Sequence, residues 1–401
     1  LKEIRHNAAR PPDGLAPHPV HSFQTLSQAL SLRSRLASLR GSWWAIPAVI
    51  AVASRLWGSG LVYAFGQSSW TGFHFPPAAG PATTWDGAWY LSIARSGYHA
   101  DALLHTVRGD YHDFAFWPAW PTLLAPVLRL VPEAWADVSA SFVANTLAVV
   151  GLVLWARVLE PAFGRRNARW GMAFVAFAPS SFVLSMAYSE PLFLLVSAAF
   201  FLSPARSLRR PLMAALAQAT RVTGFATGAT AIPDLVRSRG RDGRAWLILV
   251  APLLVFAAWW LFIAQLTGDP QGFLQGTPSW LRVTGQESGP LSFLPDLRHD
   301  DRYFRPLVIA AVFLVGVIAG AVLLFRRGLS QFGWYAVAGL LPTLLLASWQ
   351  SMPRHALIVV PAVAAAISPL RDRWRVVLLV LSALAEIVVC EGMVGIRLIS
   401  P

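Results

Sequence analysis

The chain is short of charge. Only 13% of its 401 residues are Asp, Glu, Lys or Arg, about half of the roughly 25% found in soluble domains. Cysteine occurs once, as Cys390 within an apolar run, which excludes an intramolecular disulfide. Lysine also occurs once, as Lys2, so the basic charge is almost all arginine. There is no glycine-rich phosphate loop, no nucleophile elbow and no zinc-protease motif. No internal repeat shows, and no polar stretch is long enough to fold as a separate soluble domain. What the chain has in quantity is apolar side chains, 55% of the total. Long apolar runs recur along most of its length, which predicts an all-α polytopic membrane protein. The runs are continuous and lack the ~10-residue polar/apolar segments of outer-membrane strands.

A net charge of +13 raises the question of nucleic acid. The distribution of the arginines argues against it, because they cluster at the ends of apolar runs, as membrane proteins place them. The abundance of Ala, Arg, Gly, Pro and Trp beside a single Lys points to a GC-rich bacterial genome. Residues 1–42 carry Lys2, Arg5, Arg10, Arg33, Arg35 and Arg40 and are expected to form a cytoplasmic tail with a basic interfacial helix at 26–40. The run 43–65 is longer than a signal-peptide core and is followed by no small-residue cleavage site. Residues 43–401 then read as one transmembrane domain.

Arginine clusters at 157–169, 206–210, 237–244, 326–327 and 371–375 are assigned to the cytoplasm with the tail. The acid-rich polar regions, 66–137 and 267–305 with their flanks, face outward. Run 43–65 takes the chain out. Segment 114–131, weakened by Pro118, Pro121 and Pro126, is expected as an outer-surface or re-entrant helix. Then 138–157 returns inward, 170–187 goes out and 190–203 comes back. Segment 209–236 is basic at both ends, which predicts a hairpin turning near Thr220-Arg221-Val222-Thr223-Gly224. Arms of about 12 residues reach only ~18 Å, too short for ~30 Å of hydrocarbon. Spans at 245–266, 306–325, 332–349, 355–370 and 375–396 complete about eleven helices, N-terminus in and C-terminus out.

The residues able to carry chemistry fall on the outward side. Asp86 lies in Trp85-Asp86-Gly87-Ala88-Trp89-Tyr90, at the start of an expected surface helix 85–96 with Thr84 as N-cap and Gly97 as C-cap. Trp89 and Ile93 share a face suited to the bilayer. The helix start favours an ionised Asp86, able to accept a proton from a hydroxyl; the alternative is a simple helix-start aspartate. Glu190, after Tyr188-Ser189, reads as a second acid or a solvated loop residue. Arg221 sits in an apolar hairpin and must meet an anion, from the protein or from a ligand phosphate. Arg354 and His355 are cations on the acid-rich face and suit a lipid phosphate, or are ordinary loop residues. Glu386 and Glu391 lie in the last run. His74, His99, His105 and His112 are spaced too widely for a compact metal motif. No cofactor is called for, and a divalent metal is left open.

Five segments together resemble a known family. Trp85-Asp86-Gly87-x-Trp89-Tyr90-Leu91-x-Ile93-Ala94-x-x-Gly97-Tyr98 is similar to the first-loop motif of the PIG-V mannosyltransferases, a branch of the GT-C glycosyltransferase superfamily. Phe116 to Pro121, Pro179 to Glu190, Ala219 to Gly224 and Ser351 to His355 resemble further family segments in the family's order. The resemblance implies a GT-C fold with its site on the non-cytoplasmic face, a polyprenyl-phosphate sugar donor, usually mannose, and inversion at the anomeric carbon. It implies Asp86 as general base, Glu190 as a second acid, and Arg221 and Arg354 as donor-phosphate ligands. His355 replaces the family's Phe beside them. Trp85, Trp89, Tyr90 and Tyr188 are the substrate-facing aromatics of these segments. The expected partners are that donor, a lipid or cell-envelope glycan acceptor and membrane lipids. The rival class is a transporter or lipid flippase, which would show inverted repeats and acids near the bilayer midplane. A membrane scaffold would leave Arg221 and Asp86 unexplained.

Overall fold

Residues 42–66, 78–106, 109–274, 301–345 and 352–395 are described in a computed structural model. The expected tail with its helix at 26–40, and loop residues 67–77 and 275–300, lie outside the described residues. The chain divides into two units, Leu1–Ala45 and Ile46–Pro401. In the first, Ser42 Oγ accepts a hydrogen bond from the Ala45 amide at 3.3 Å. Among its described residues the second is helical apart from one small hairpin, β1 (Leu104–Thr106) with β2 (Gly109–Tyr111), paired antiparallel with Leu104 opposite Tyr111.

The helices in chain order are α1 (Ala45–Phe65), α2 (Asp86–Ser96), α3 (Ala119–Leu130), α4 (Ala136–Ala176) and α5 (Glu190–Leu202). Then come α6 (Arg209–Thr220), α7 (Phe225–Ala229), α8 (Ile232–Arg237), α9 (Gly243–Thr267) and α10 (Asp301–Arg326). The last are α11 (Ser330–Leu345), α12 (Met352–Leu357), α13 (Val360–Ile367) and α14 (Asp372–Cys390). Among the described residues, five helices are long and apolar enough to cross a membrane: α1, α4, α9, α10 and α14. Leu56, Leu254, Leu261, Val312 and Val380 on four of them point outward. A surface of that character is what lipid covers and water does not. The other expected crossings are shorter or broken helices, so length and composition do not extend the count to eleven.

Two breaks shape the fold. In α4, Gly164 leaves the helix with φ 75°. A Cβ on Gly171 would lie 3.5 Å from Leu159 Cδ1, whereas twelve residues of straight helix span ~18 Å. The chain therefore doubles back at Gly164, between Arg157 and Arg169, where the sequence reading placed a cytoplasmic turn. The expected span 170–187 is corrected: its helix stops at Ala176, and residues 181–185 form a 3-10 turn. In the second break, α6 ends at Thr220 and Arg221 is fully extended. The chain folds back so tightly that a Cβ on Gly224 would sit 2.2 Å from Gln218 Cα. The ends of this hairpin meet at Gln331, whose Oε1 accepts from Arg210 (3.1 Å) and whose Nε2 donates to Asp234 (3.0 Å).

The arginine-rich segments are joined to one another. Arg157, Arg210, Arg237 and the 328–332 segment surround one cavity. Arg166 pairs with Asp372, and Arg327 donates to Ser368 Oγ. A separate set of contacts joins the expected outer elements. The Ala187 amide donates to Ala82 O, Trp120 Nε1 to Ala187 O, and Trp85 Nε1 to Met393 O, each at 2.8–2.9 Å.

Candidate active site

The first loop is built to hold Asp86 still. Residues 81–83 form a 3-10 turn pinned by Asp137. Its Oδ1 accepts from the Thr83 amide (2.9 Å) and hydroxyl (2.8 Å), and its Oδ2 from Tyr63 (2.8 Å). Trp85 then takes φ 54°, a conformation a bulky side chain adopts only under constraint. Asp86 is the first residue of α2, where the helix dipole favours its anion. Glycine at 87 has a direct cause, since a Cβ there would lie 3.2 Å from Ala82 O and 3.5 Å from Ala187 Cβ. Helix α2 ends at Gly97 as expected (φ 79°). Two expectations are corrected. Thr84 is not the N-cap; its hydroxyl donates to Pro81 O, and Trp85 takes the cap position. Trp89 and Ile93 do not face a bilayer but are buried, with Trp89 stacked on Phe116 at 5.6 Å.

Four charged side chains converge from segments far apart in sequence. Arg354, from α12, places NH1 2.7 Å from Asp86 Oδ2. Arg221, at the hairpin turn, places NH1 2.6 Å from Glu190 Oε1. Arg354 Nε lies 3.8 Å from the same Glu190 oxygen, so the two pairs form one cluster. The Glu190 side chain is 2% exposed, which removes its reading as a solvated loop residue, while Asp86 keeps 15%. Tyr188 lies under the Arg354 guanidinium, 5.3 Å from ring centroid to carbon, within cation–π range. Tyr90 donates to Ser189 Oγ at 3.0 Å. Burial, then the charge of Asp86, push the Tyr90 hydroxyl above its ordinary range, so it stays a neutral donor. His355 feels the charges of Arg221 and Arg354, and its buried Nδ1 has no hydrogen-bond partner.

The cluster holds two acids and two arginines, so it is formally neutral. Arg221 has found its anion within the protein, one of the two partners the sequence allowed. Buried polar atoms remain at the hairpin turn: Arg221 Nε, the Gln218 amide nitrogen and oxygen, and Thr223 Oγ1 make no hydrogen bond. Glu386 stands apart, with Oε1 accepting from Ser181 Oγ at 2.6 Å in the field of Arg55. Among the described residues, no group of three or more His, Cys, Asp or Glu is placed to hold a metal ion. Asp86 Oδ2 and Glu190 Oε1 are both engaged by guanidinium groups.

Sequence reasoning missed Asp137, Tyr63 and Ser189, which position the site. Asp137 carried a signal, an acid in the first turn of an apolar helix, but nothing in the sequence links it to Thr83.

No protein-family model and no curated protein matches this chain. Among solved structures, the chain is similar to the oligosaccharyltransferase of Archaeoglobus fulgidus tethered to an acceptor peptide containing the NVT sequon. The identity is 12% and the TM-score 0.48, over 87% of this chain and 55% of that one. The same enzyme in complex with Zn and sulfate matches at 12% identity and TM-score 0.45, over 86% and 53%. The chain spans about half the length of these structures.

Proposed function

We propose that the protein is an integral-membrane glycosyltransferase of the GT-C type. It moves a sugar, mannose in the first instance, from a polyprenyl-phosphate donor to a hydroxyl of a lipid-linked or cell-envelope glycan on the non-cytoplasmic face. The observation that carries this reading is the single cluster of Asp86, Glu190, Arg221 and Arg354. It combines a partly accessible carboxylate with two buried guanidiniums and a buried second acid. The resemblance of the five sequence segments contributes the donor class.

In this mechanism the acceptor oxygen attacks the anomeric carbon as the sugar–phosphate bond breaks, with inversion. Asp86 accepts the hydroxyl proton. Its ion pair uses Oδ2, and a carboxylate has a second oxygen for the proton. The departing phosphate gains negative charge, which Arg354 and Arg221, with His355 beside them, stabilise more strongly than the ground state. A donor phosphate competes with Asp86 for Arg354, the more accessible of the two arginine pairings, and so frees the base as it binds. Glu190 keeps Arg221 oriented in both states. Trp85, Trp89, Tyr90 and Tyr188 build the walls. The test is transfer of labelled sugar from a polyprenyl-phosphate donor to an envelope-lipid extract by detergent-purified protein. Time-dependent labelled product, abolished by Asp86→Asn, is expected. Movement of donor across proteoliposomes without transfer would replace this reading with a transporter.

A further inference from the structure

The arginine-rich end holds a second site: Arg210 lies in the first turn of α6 and Arg221 just past its last, ~16 Å apart at 1.5 Å per residue. A cavity of about 540 Å³ is lined by Arg157, Arg210 and Arg237, with Ser330, Gln331 and the apolar Phe201 and Phe332. Its centre is Arg210, which is only 8% exposed. Phe200 lies under its guanidinium at 4.8 Å, and NH2 donates to the neutral Gln331. Its buried Nε has no hydrogen-bond partner. A buried cation whose direct partner is an amide still lacks a counter-charge.

Asp234 acts on Arg210 only from beyond Gln331 and is itself paired with Arg237. Arg157 and Arg165 share Glu160, at 3.1 and 3.0 Å. Arg237 takes Asp234, which also accepts from Gln331. Among the described residues, Arg210 and Arg237 thus share one carboxylate, Asp234, an excess of one positive charge. The 16-residue helix α11 begins at the rim with Ser330, so its N-terminal dipole adds to the positive field. The apolar part of the wall is Val158, Pro161, Phe201, Leu202, Leu329 and Phe332, and Leu202 is exposed. An occupant must therefore carry an anionic head and an apolar body side by side.

We propose that this cavity binds the phosphate headgroup of an anionic membrane phospholipid, with its chains along the Phe201–Leu202 side. Basic pockets between helices at a membrane boundary hold such headgroups. The site is independent of the transfer reaction proposed above.

The experiment measures melting temperature and co-purified lipid by native mass spectrometry, using the full chain in detergent. The probes are phosphatidylglycerol, phosphatidylcholine and inorganic phosphate. Wild type is expected to retain and be stabilised by phosphatidylglycerol alone. The double variant Arg157→Gln/Arg237→Gln changes two exposed side chains and leaves Arg210 and its packing in place. It should bind phosphatidylglycerol about tenfold more weakly or worse, whereas Arg157→Lys/Arg237→Lys and the distant Arg129→Gln should bind as wild type. Equal stabilisation by phosphatidylcholine overturns the proposal, as does an unchanged double variant. Stabilisation by inorganic phosphate equal to that by the lipid overturns the lipid assignment.

Discussion

Among the described residues two buried acid–arginine clusters are built on opposite plans. In one, Arg55 gives NH1 to Ser181 O (2.7 Å), NH2 to Ala176 O (2.9 Å) and Nε to Ser54 Oγ (3.3 Å). Glu386 reaches it through Ser181 Oγ rather than by direct contact. Every nitrogen of Arg55 has a fixed partner, two of them backbone carbonyls that no other group can replace. In the other, Arg221 and Arg354 meet Glu190 and Asp86 as ion pairs, and neither Nε has a hydrogen bond. The first arrangement staples α1, the 177–185 segment and α14. The second can exchange a carboxylate for another anion without unmaking the backbone. Burial of charge alone does not mark a site; the kind of partner does.

The largest effect that separates the two plans belongs to Arg55. Arg55→Met leaves Glu386 buried without its cation and strips two carbonyls of their donor. Breaking a buried pair from one side costs about 3–5 kcal/mol, so the melting temperature in detergent should fall steeply. Changing Glu386 to Gln as well should recover part of the loss. A melt at the wild-type temperature would show that the staple is not one.

Asp86→Asn should do the reverse. The helix start and the Gly87 packing survive, so the melt stays within a few degrees of wild type. Turnover should fall ~10²-fold or more, the usual contribution of a general base. Wild-type turnover in this variant would remove Asp86 from the mechanism and leave it a structural partner of Arg354.

The third effect is smaller because Glu190 has two cations. Arg221→Gln leaves Arg354 Nε 3.8 Å from the stranded carboxylate, so stability should drop by less than in Arg55→Met. Adding Glu190→Gln should restore much of it, since replacing both partners is far cheaper than removing one. Donor binding should stay weakened in the double variant if Arg221 also serves the phosphate. An unchanged melt in Arg221→Gln would mean that the short Arg221–Glu190 contact contributes little.

The arginine pattern made the hairpin at Arg221, the doubling back near Arg157–Arg169 and the grouping of basic ends legible in the sequence. That works because unpaired cations in an apolar run are expensive, so few chain paths are allowed. Arg221 was legible as a candidate for the same reason, Arg354 as a cation on the acid-rich face, Asp86 from its aromatic-flanked helix start, and Glu190 mainly from the resemblance. Their pairing was not, because it joins positions 86 and 190 to 354 and 221 through tertiary packing alone. The end of α4 at Ala176 was also hidden. Residues 170–187 are largely apolar, broken only by Pro179 and three serines, and periodicity does not distinguish a helix from a buried irregular segment whose carbonyls are taken by Arg55. Asp137 was passed over, although it sets the loop that presents Asp86.

Another buried acid sharpens the comparison with the smallest effect, because its partner is an imidazole. Asp113 is 1% exposed, and its Oδ2 lies 3.1 Å from His99 Nδ1 and accepts from the His99 amide at 3.2 Å. The turn it begins leads into Phe116, which packs on Trp89 and Tyr90, so its state reaches the first loop. Burial raises its carboxyl above the ordinary range, and the bonds from His99 only partly oppose that rise. A raised folded value means that the folded chain holds the proton more tightly than the unfolded one. The associated stability is fully present below the ordinary carboxylate range and is lost as pH rises through the folded value. Other acids add their own slopes, so the measurement is the difference in melting temperature between wild type and Asp113→Asn across pH. Relative to the variant, wild type should lose stability upward from the ordinary carboxylate range and level off above the folded value. A pH-independent difference would mean that His99 compensates the burial of Asp113 as fully as a guanidinium would.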